Sequence, residues 1–569
     1  RLKLGPEDYA QLVPHLLPVL GRTGDPDMAL NHLERFLSEL GPDARFMDAV
    51  WSPAAVLPAL LTLFGASRFL SSFAIATAAE TFQLLSNAAY LAFPADRELL
   101  EDRLLVALQG ATRDEDLLRI LRVFRKREMC RIALRDLLGR AELSETVGDL
   151  SNLAEVTLQA ACEWHADALK KKHGRPLVLA EDGTAVPAGF AVIGMGKLGG
   201  RELNFSSDVD LMYVYSSDGE TEGVPGSDGS MTNRITNHQY FVKLAELVSA
   251  AIGRNTVDGF VFRVDVRLRP EGQKGPLAQS LGGYELYYES WGQTWERSAL
   301  IKARPVAGDE AVGREFIERI TPFVYRKYLD FGAIAEIRDM KQKINREVQL
   351  KGKTHRDVKL GYGGIREVEF LVQALQLIYG GRDRTIRERG TLRALHILAQ
   401  KGLLSYQEIA ELTRAYVFLR TVEHRLQMLN DLQTQVLPTG DTDLRTLARR
   451  TGYRDPGRET EMLLREYADH ARRVRDIYDN LLSQAPEGPA GEEAGSDFTF
   501  LMDPQTGEQE AGKILARYGF RDPSRAFRNI ALLREGQAFV HQTPRSRRVF
   551  SDLFPELFRA ITASPDPDL

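Results

Sequence analysis

GFAVIGMGKLGGRELNFSSDVDLMYVY, Gly189 to Tyr215, is the stretch on which the reading of this 569-residue chain turns. An apolar run, Phe190 to Ile193, leads into Gly194, Gly196, Gly199 and Gly200. After a short polar segment, Asp208 and Asp210 open a second apolar run that ends at Tyr215. Side chains alternate along a strand, so Asp208 and Asp210 share one face and Val209 points the other way. Two carboxylates side by side are unfavourable unless a cation or hydrogen-bond donors neutralise them. A lone Asp-x-Asp is usually a turn or a solvated edge, but strands this apolar are normally buried.

The run Gly194-Met-Gly196-Lys-Leu-Gly199 has the spacing of a dinucleotide-binding loop. That site needs a helix directly after the glycines and an acid at the far end of the second strand. Here the acids begin the second strand, and Asn204-Phe205-Ser206-Ser207 interrupts any long helix. No Gly-Lys-Ser/Thr follows at P-loop spacing either. What remains is a glycine turn able to approach phosphate closely, followed by paired acids able to hold Mg²⁺ through hard oxygen ligands. A third acid, Asp265, stands in GFVFRVDVRLRPEG (259–272), read as one strand on which Arg267 and Arg269 share the face of Asp265. Asp208, Asp210 and Asp265 are therefore the candidate metal ligands and catalytic acids. Gly199, Gly200, Ser207, Lys197, Arg267 and Lys302 are candidate phosphate-side residues. Ser207 could equally cap a turn, and the two arginines could equally neutralise the acids structurally.

Working outward, residues 1–185 read as an N-terminal helical domain, with apolar residues three and four apart in 30–40, 55–65 and 117–138. The last of these carries Arg119, Arg122, Arg125, Lys126, Arg127 and Arg131, read as a solvated basic face. Residues 186–309 form the strand-rich segment, with 216–233 as a mobile loop. Residues 310–483 return to helices. Glu367 and Glu369 in KLGYGGIREVEF open one of them as favourable first-turn acids, and His424 reads as a packed or surface histidine. Residues 484–497 (QAPEGPAGEEAGSD) have the composition of a flexible linker, and 498–569 are helical again. The fold class expected is α+β, mostly helical, with a small mixed sheet flanked by helical domains.

A net charge of −5 argues against a general nucleic-acid binder. Two cysteines without a CxxC pair suit a reducing compartment. The N-terminal residues have no apolar signal core, and the apolar run around Ala54–Ala66 is too short to span a bilayer. The expectation is a soluble, cytoplasmic protein with no membrane partner. LVPHLLPVLGRTGDPD (12–27) and LFPELFRAITASPDPD (553–568) repeat one skeleton, which reads as the restart of a second copy of the architecture.

GMGKLGGRELNFSSDVDLMYVY resembles the signature of the glutamine synthetase adenylyltransferase/adenylyl-removing enzymes, within the DNA polymerase beta-like nucleotidyltransferase superfamily. FVFRVDVRLRPEGQKGPLAQS (260–280), WERSALIKARPVAGD (295–309) and KLGYGGIREVEFLVQALQL (359–377) resemble its further blocks in the same order. The seven residues between Gly200 and Asp208 are fewer than in the wider superfamily, a habit of this family. The resemblance implies two Mg²⁺ ions, adenine nucleotide, glutamine synthetase as the protein substrate, the PII signal protein as a partner and glutamine as an effector. NFSSD resembles the half that removes AMP by phosphorolysis, with phosphate as co-substrate and ADP as product. ATP-dependent adenylylation of a tyrosine is the alternative direction, and a non-catalytic helical scaffold the alternative class.

Overall fold

The computed structural model describes residues 6–41, 56–180, 182–227, 230–326, 340–342, 355–483, 501, 506–535, 554, 557–558 and 560–561. The expected linker at 484–497 lies outside them, as does most of the repeat at 553–568.

Among the described residues the chain opens with helices, including Pro26–Leu40, Val56–Phe64, Arg68–Ala76, Arg97–Leu108, Asp114–Leu137 and Leu143–His173. Polar residues start them as capping chemistry requires: Asp25, Ser67 and Asp96 each accept a first-turn backbone N–H. No described helix is long and apolar enough to cross a membrane.

Ten strands follow among the described residues: β1 (Pro176–Leu179), β2 (Ala185–Pro187), β3 (Phe190–Gly194), β4 (Asp208–Tyr215), β5 (Glu220–Thr221), β6 (Val224–Pro225), β7 (Met231–Thr232), β8 (Arg263–Asp265), β9 (Ala278–Ser280) and β10 (Arg304–Gly308). The central mixed sheet runs β10-β3-β4-β8, with β9 on β4 beyond β8. β3 is antiparallel to both β10 and β4, whereas β8 and β9 run parallel to β4. β1 pairs with β2 and β5, and β6 with β7. Two expectations are corrected here. The segment 216–233 carries three short strands rather than a bare loop. The strand expected over 259–272 shrinks to β8, because a Pro/Gly-rich turn held by Arg269 begins soon after Asp265.

The sheet lies between two helical cores. Phe190, Val192, Val209, Leu211, Tyr213 and Tyr215 belong to the core of the N-terminal helices and helix Asn237–Gly253. Ala191, Ile193, Met212 and Val214 belong to a second core. That core contains helices Leu281–Ser290, Glu310–Val324, Ile365–Tyr379, Thr391–Gln400, Tyr406–Met428, Asp441–Thr451 and Glu459–Ser483. Strand alternation puts successive residues into opposite cores, which is why these strands lack polar positions beyond Asp210. Asp208 and Asp210 keep step with Met212 and Val214 and so face the C-terminal bundle. Helices Glu508–Arg517 and Pro523–Glu535 have a small core of their own around Ile514, Leu515, Phe520 and Phe558.

The solvated-face reading of residues 117–138 is overturned for most of its arginines. Arg122, Arg125 and Arg131 are buried, as is Arg135 farther along, while Arg119 is exposed. Arg122 closes the end of helix Asn237–Gly253 through the carbonyls of Ala251, Arg254 and Gly259. Arg131 binds Glu128 and Asp149, and Arg125 binds Asp431 through two bonds of 3.0 and 3.1 Å. These buried guanidiniums persist because each meets a carboxylate or a set of carbonyls that offsets its desolvation.

Candidate active site

Parallel pairing of β4 with β8 sets Asp208 opposite Arg263, Val209 opposite Val264, and Asp210 opposite Asp265. The three acids therefore stand together on one face, as alternation demands, with Val209 fully buried behind them. Each carboxylate has different company. Asp208 accepts from Arg263 Nε at 2.7 Å and from Gln433 Nε2 at 3.3 Å. Asp265 accepts from the backbone N–H and guanidinium of Arg267. Although Asp265 is partly buried, Arg267 holds its carboxyl below the usual range. No described residue donates to the Asp210 carboxylate. Burial, then repulsion from Asp265, pushes it up to about 6.

Gly196, with φ of +51°, lies against Asp210, and a Cβ there would stand 2.5 Å from Asp210 Oδ2. The glycine keeps this carboxylate open on its backbone side. Gly199 and Gly200, candidate phosphate-side residues, also shape the turn. Their amides bond Met195 O and Gly196 O within the turn, and a Cβ on Gly199 would collide with Lys302 O. The Ser207 hydroxyl accepts from Asn204 N, so Ser207 closes a turn.

Lys302 is buried against Glu202 at 2.6 Å and near Glu369 at 3.6 Å. Burial alone would lower its amine; the two carboxylates overcome that and hold it above the ordinary lysine range. Lys302, a candidate phosphate-side residue, thus has its amine engaged by carboxylates. Glu202 also accepts from Thr391 at the start of helix Thr391–Gln400, so the pair ties the sheet to the bundle. Lys197 is half-buried, and burial lowers it to about 8 against the pull of Glu423.

The C-terminal bundle completes the site, and four of its residues there, Lys359, Arg420, Gln427 and Gln433, were not named by the sequence reading. Arg420 donates to Glu202 O and Asn204 Oδ1, both at 2.6 Å. Arginine can only donate, so the Asn204 atom it meets is the oxygen, and His424 Nε2 donates to that same atom at 3.0 Å. Gln427 Oε1 accepts from Ser206 N, and Gln433 reaches Asp208. Helix Tyr406–Met428 and its continuation thus hold the turn 202–207 from which Asp208 is launched. Lys359 acts electrostatically on Asp210, Lys197 and Glu369 from the loop before helix Ile365–Tyr379. Glu367 is structural, accepting from Gly363 N and Arg475, whereas Glu369 faces Lys302 and Lys197. His424 is buried on Phe205, as a packed histidine should be. A groove of about 910 Å³ lined by Arg97, Arg304, Arg389 and neighbours lies at the β10 edge, away from the acids.

Among the described residues no three His, Cys, Asp or Glu side chains are gathered closely enough to hold a metal as they stand. The donor set nevertheless suits a hard divalent cation. It offers carboxylate oxygens only, one of them without a hydrogen-bond donor, at a point where a Cβ on Gly196 would intrude.

Residues 57–319 match the family model GlnE, Glutamate-ammonia ligase adenylyltransferase, and 338–482 match GlnD PII-uridylyltransferase. The acids fall in the first match; Lys359, Glu369, Arg420 and Gln433 fall in the second. The chain is 41% identical over 559 residues to a bifunctional glutamine synthetase adenylyltransferase/adenylyl-removing enzyme of Thioalkalivibrio sulfidiphilus, covering 97% of this chain and 55% of that protein. It is 38% identical to the enzyme so described in Pseudomonas putida, over 89% of this chain and 50% of that protein. The chain thus spans about half the length of the curated relatives it matches.

Proposed function

The chain belongs to the glutamate-ammonia ligase adenylyltransferase family, and from that premise we propose that it removes AMP from an adenylylated tyrosine of glutamine synthetase by phosphorolysis. The observation that carries the proposal is the register placing Asp208, Asp210 and Asp265 together beside Gly196. The NFSSD wording before Asp208 favours removal over attachment.

Hydrogen phosphate attacks the α-phosphorus of the adenylyl group. A phosphorus–oxygen bond forms to the incoming phosphate, and the bond to the tyrosine oxygen breaks. The proton carried by hydrogen phosphate ends on the tyrosine oxygen, so the products are ADP and free tyrosine. Both partners are anionic, so catalysis consists of positioning and charge neutralisation. Asp208, Asp210 and Asp265 would hold Mg²⁺, which when bound neutralises phosphate oxygens and the departing phenolate. Arg263 and Arg267 orient the flanking carboxylates. Lys197 supplies positive charge beside Asp210. Arg420, His424 and Gln427 fix the turn that carries Asp208. By the same family premise, PII and glutamine regulate the full-length protein.

The test is ADP release from adenylylated glutamine synthetase with and without phosphate and Mg²⁺. Release that requires both supports the reading. Incorporation of label from ATP into unmodified glutamine synthetase, without phosphate-dependent release, would replace it with the attaching direction.

A further inference from the structure

The cations around the acid face are unequally committed. Arg263 is bound to Asp208, Arg267 to Asp265, and Lys302 to Glu202. Lys197 and Lys359 are both half-buried, and among the described residues no carboxylate lies within ion-pair distance of either amine. Lys197 belongs to the glycine turn after β3, and Lys359 to the loop before helix Ile365–Tyr379. Each bears on Asp210.

Lys359 is held firmly by its backbone. The Asp357 carboxylate accepts from the N–H groups of Lys359 and Leu360, at 3.0 and 2.8 Å. Val358 N donates to Gln435 O, and Arg366 N donates to Lys359 O. The segment bridged to this loop, 435–437, belongs to the stretch after helix Tyr406–Met428 whose Gln433 touches Asp208. Lys359 and Lys197 act on one another as like charges in partly desolvated surroundings, and an anion held by both would reverse the sign of that interaction.

We propose that Lys359, together with Lys197, forms the seat for the inorganic phosphate that attacks the adenylyl group. The proposal rests on the phosphorolytic reading and adds to it a residue from outside the sheet. It gives the bundle a direct part in the reaction, since the sheet supplies acids and the bundle supplies the cation for the nucleophile. Lysine suits a ligand that enters and leaves each turnover, being a compact charge without the bidentate fork of arginine.

The test compares wild type, Lys359→Gln and Lys359→Arg. Lys359→Gln is expected to raise the KM for phosphate at least tenfold while changing the KM for adenylylated glutamine synthetase less than twofold. Lys359→Arg is expected to recover most of the phosphate KM. A fall in kcat with unchanged phosphate KM would overturn the seat and leave Lys359 as a positioning residue. Should the wild type release no ADP, the phosphorolytic reading itself fails. Calorimetric titration with inorganic phosphate then decides the seat alone: binding by wild type that Lys359→Gln weakens tenfold supports it. Equal or absent binding in both proteins overturns it.

Discussion

Under the proposed function the chemistry converges on Asp210, to whose carboxylate no described group donates. Asp210→Asn is expected to fold at least as stably as wild type while losing about 10³-fold in kcat, several kcal/mol of charge stabilisation. Denaturation midpoints measured beside ADP release check both halves. Gly196→Ala strains a positive φ by roughly 1–2 kcal/mol and sets a methyl 2.5 Å from Asp210 Oδ2, so activity falls more than stability. His424 gives a pH dependence. Burial, with Arg420 and Arg425 nearby, holds its imidazole far below the ordinary 6.5, so the folded chain keeps it neutral. The unfolded chain takes up a proton below pH 6.5, so the contribution is complete above that pH and is lost as pH falls, by about 1.4 kcal/mol per unit. Melting curves from pH 7 to 5 should therefore fall less steeply for His424→Gln. Asp208, Asp210 and Asp265 were legible in the sequence because alternation on a strand is a local rule. Lys359 and Gln433 were not, because they reach the acids from more than 90 residues beyond Asp265 through bundle packing that no local period encodes.

The element that ties these residues together is the strap following helix Tyr406–Met428. The N-terminal helices grip its start: Ser67 Oγ donates to Met428 O, Arg68 N to Leu429 O, and Arg125 to Asp431, whose φ is +52°. Two residues farther, Gln433 meets Asp208. Arg125→Ala leaves a buried carboxylate unpaired, and a loss of about 3–5 kcal/mol is expected. Arg119→Ala, on the same helix but exposed, should stay within about 0.5 kcal/mol of wild type. Urea denaturation of the pair separates the buried-latch account from the solvated-face reading of the sequence. That reading went astray because a helix buried on several sides shows no polar face, and its arginines look alike until their acceptors, between 3 and 306 residues away along the chain, are in place.

At the scale of the whole molecule, one sheet is shared by two helical cores that take alternate residues of β3 and β4. The helical, strand-rich and helical order was legible from texture along the chain; the sharing was not, because alternation within an all-apolar strand does not say what covers each face. Residues 176–308 expressed alone would keep helices Asn237–Gly253 and Leu281–Ser290 but lose the N-terminal helices and the C-terminal bundle, exposing much of both cores, and should give an unfolded or aggregated product by circular dichroism. The acids, the turn that launches Asp208 and the bundle cations therefore act as one unit. The most direct test of that account is ADP release from adenylylated glutamine synthetase by wild type and Asp210→Asn, with phosphate and Mg²⁺ present or withheld. The account predicts release only by the wild type with both present; equal release by Asp210→Asn would contradict it.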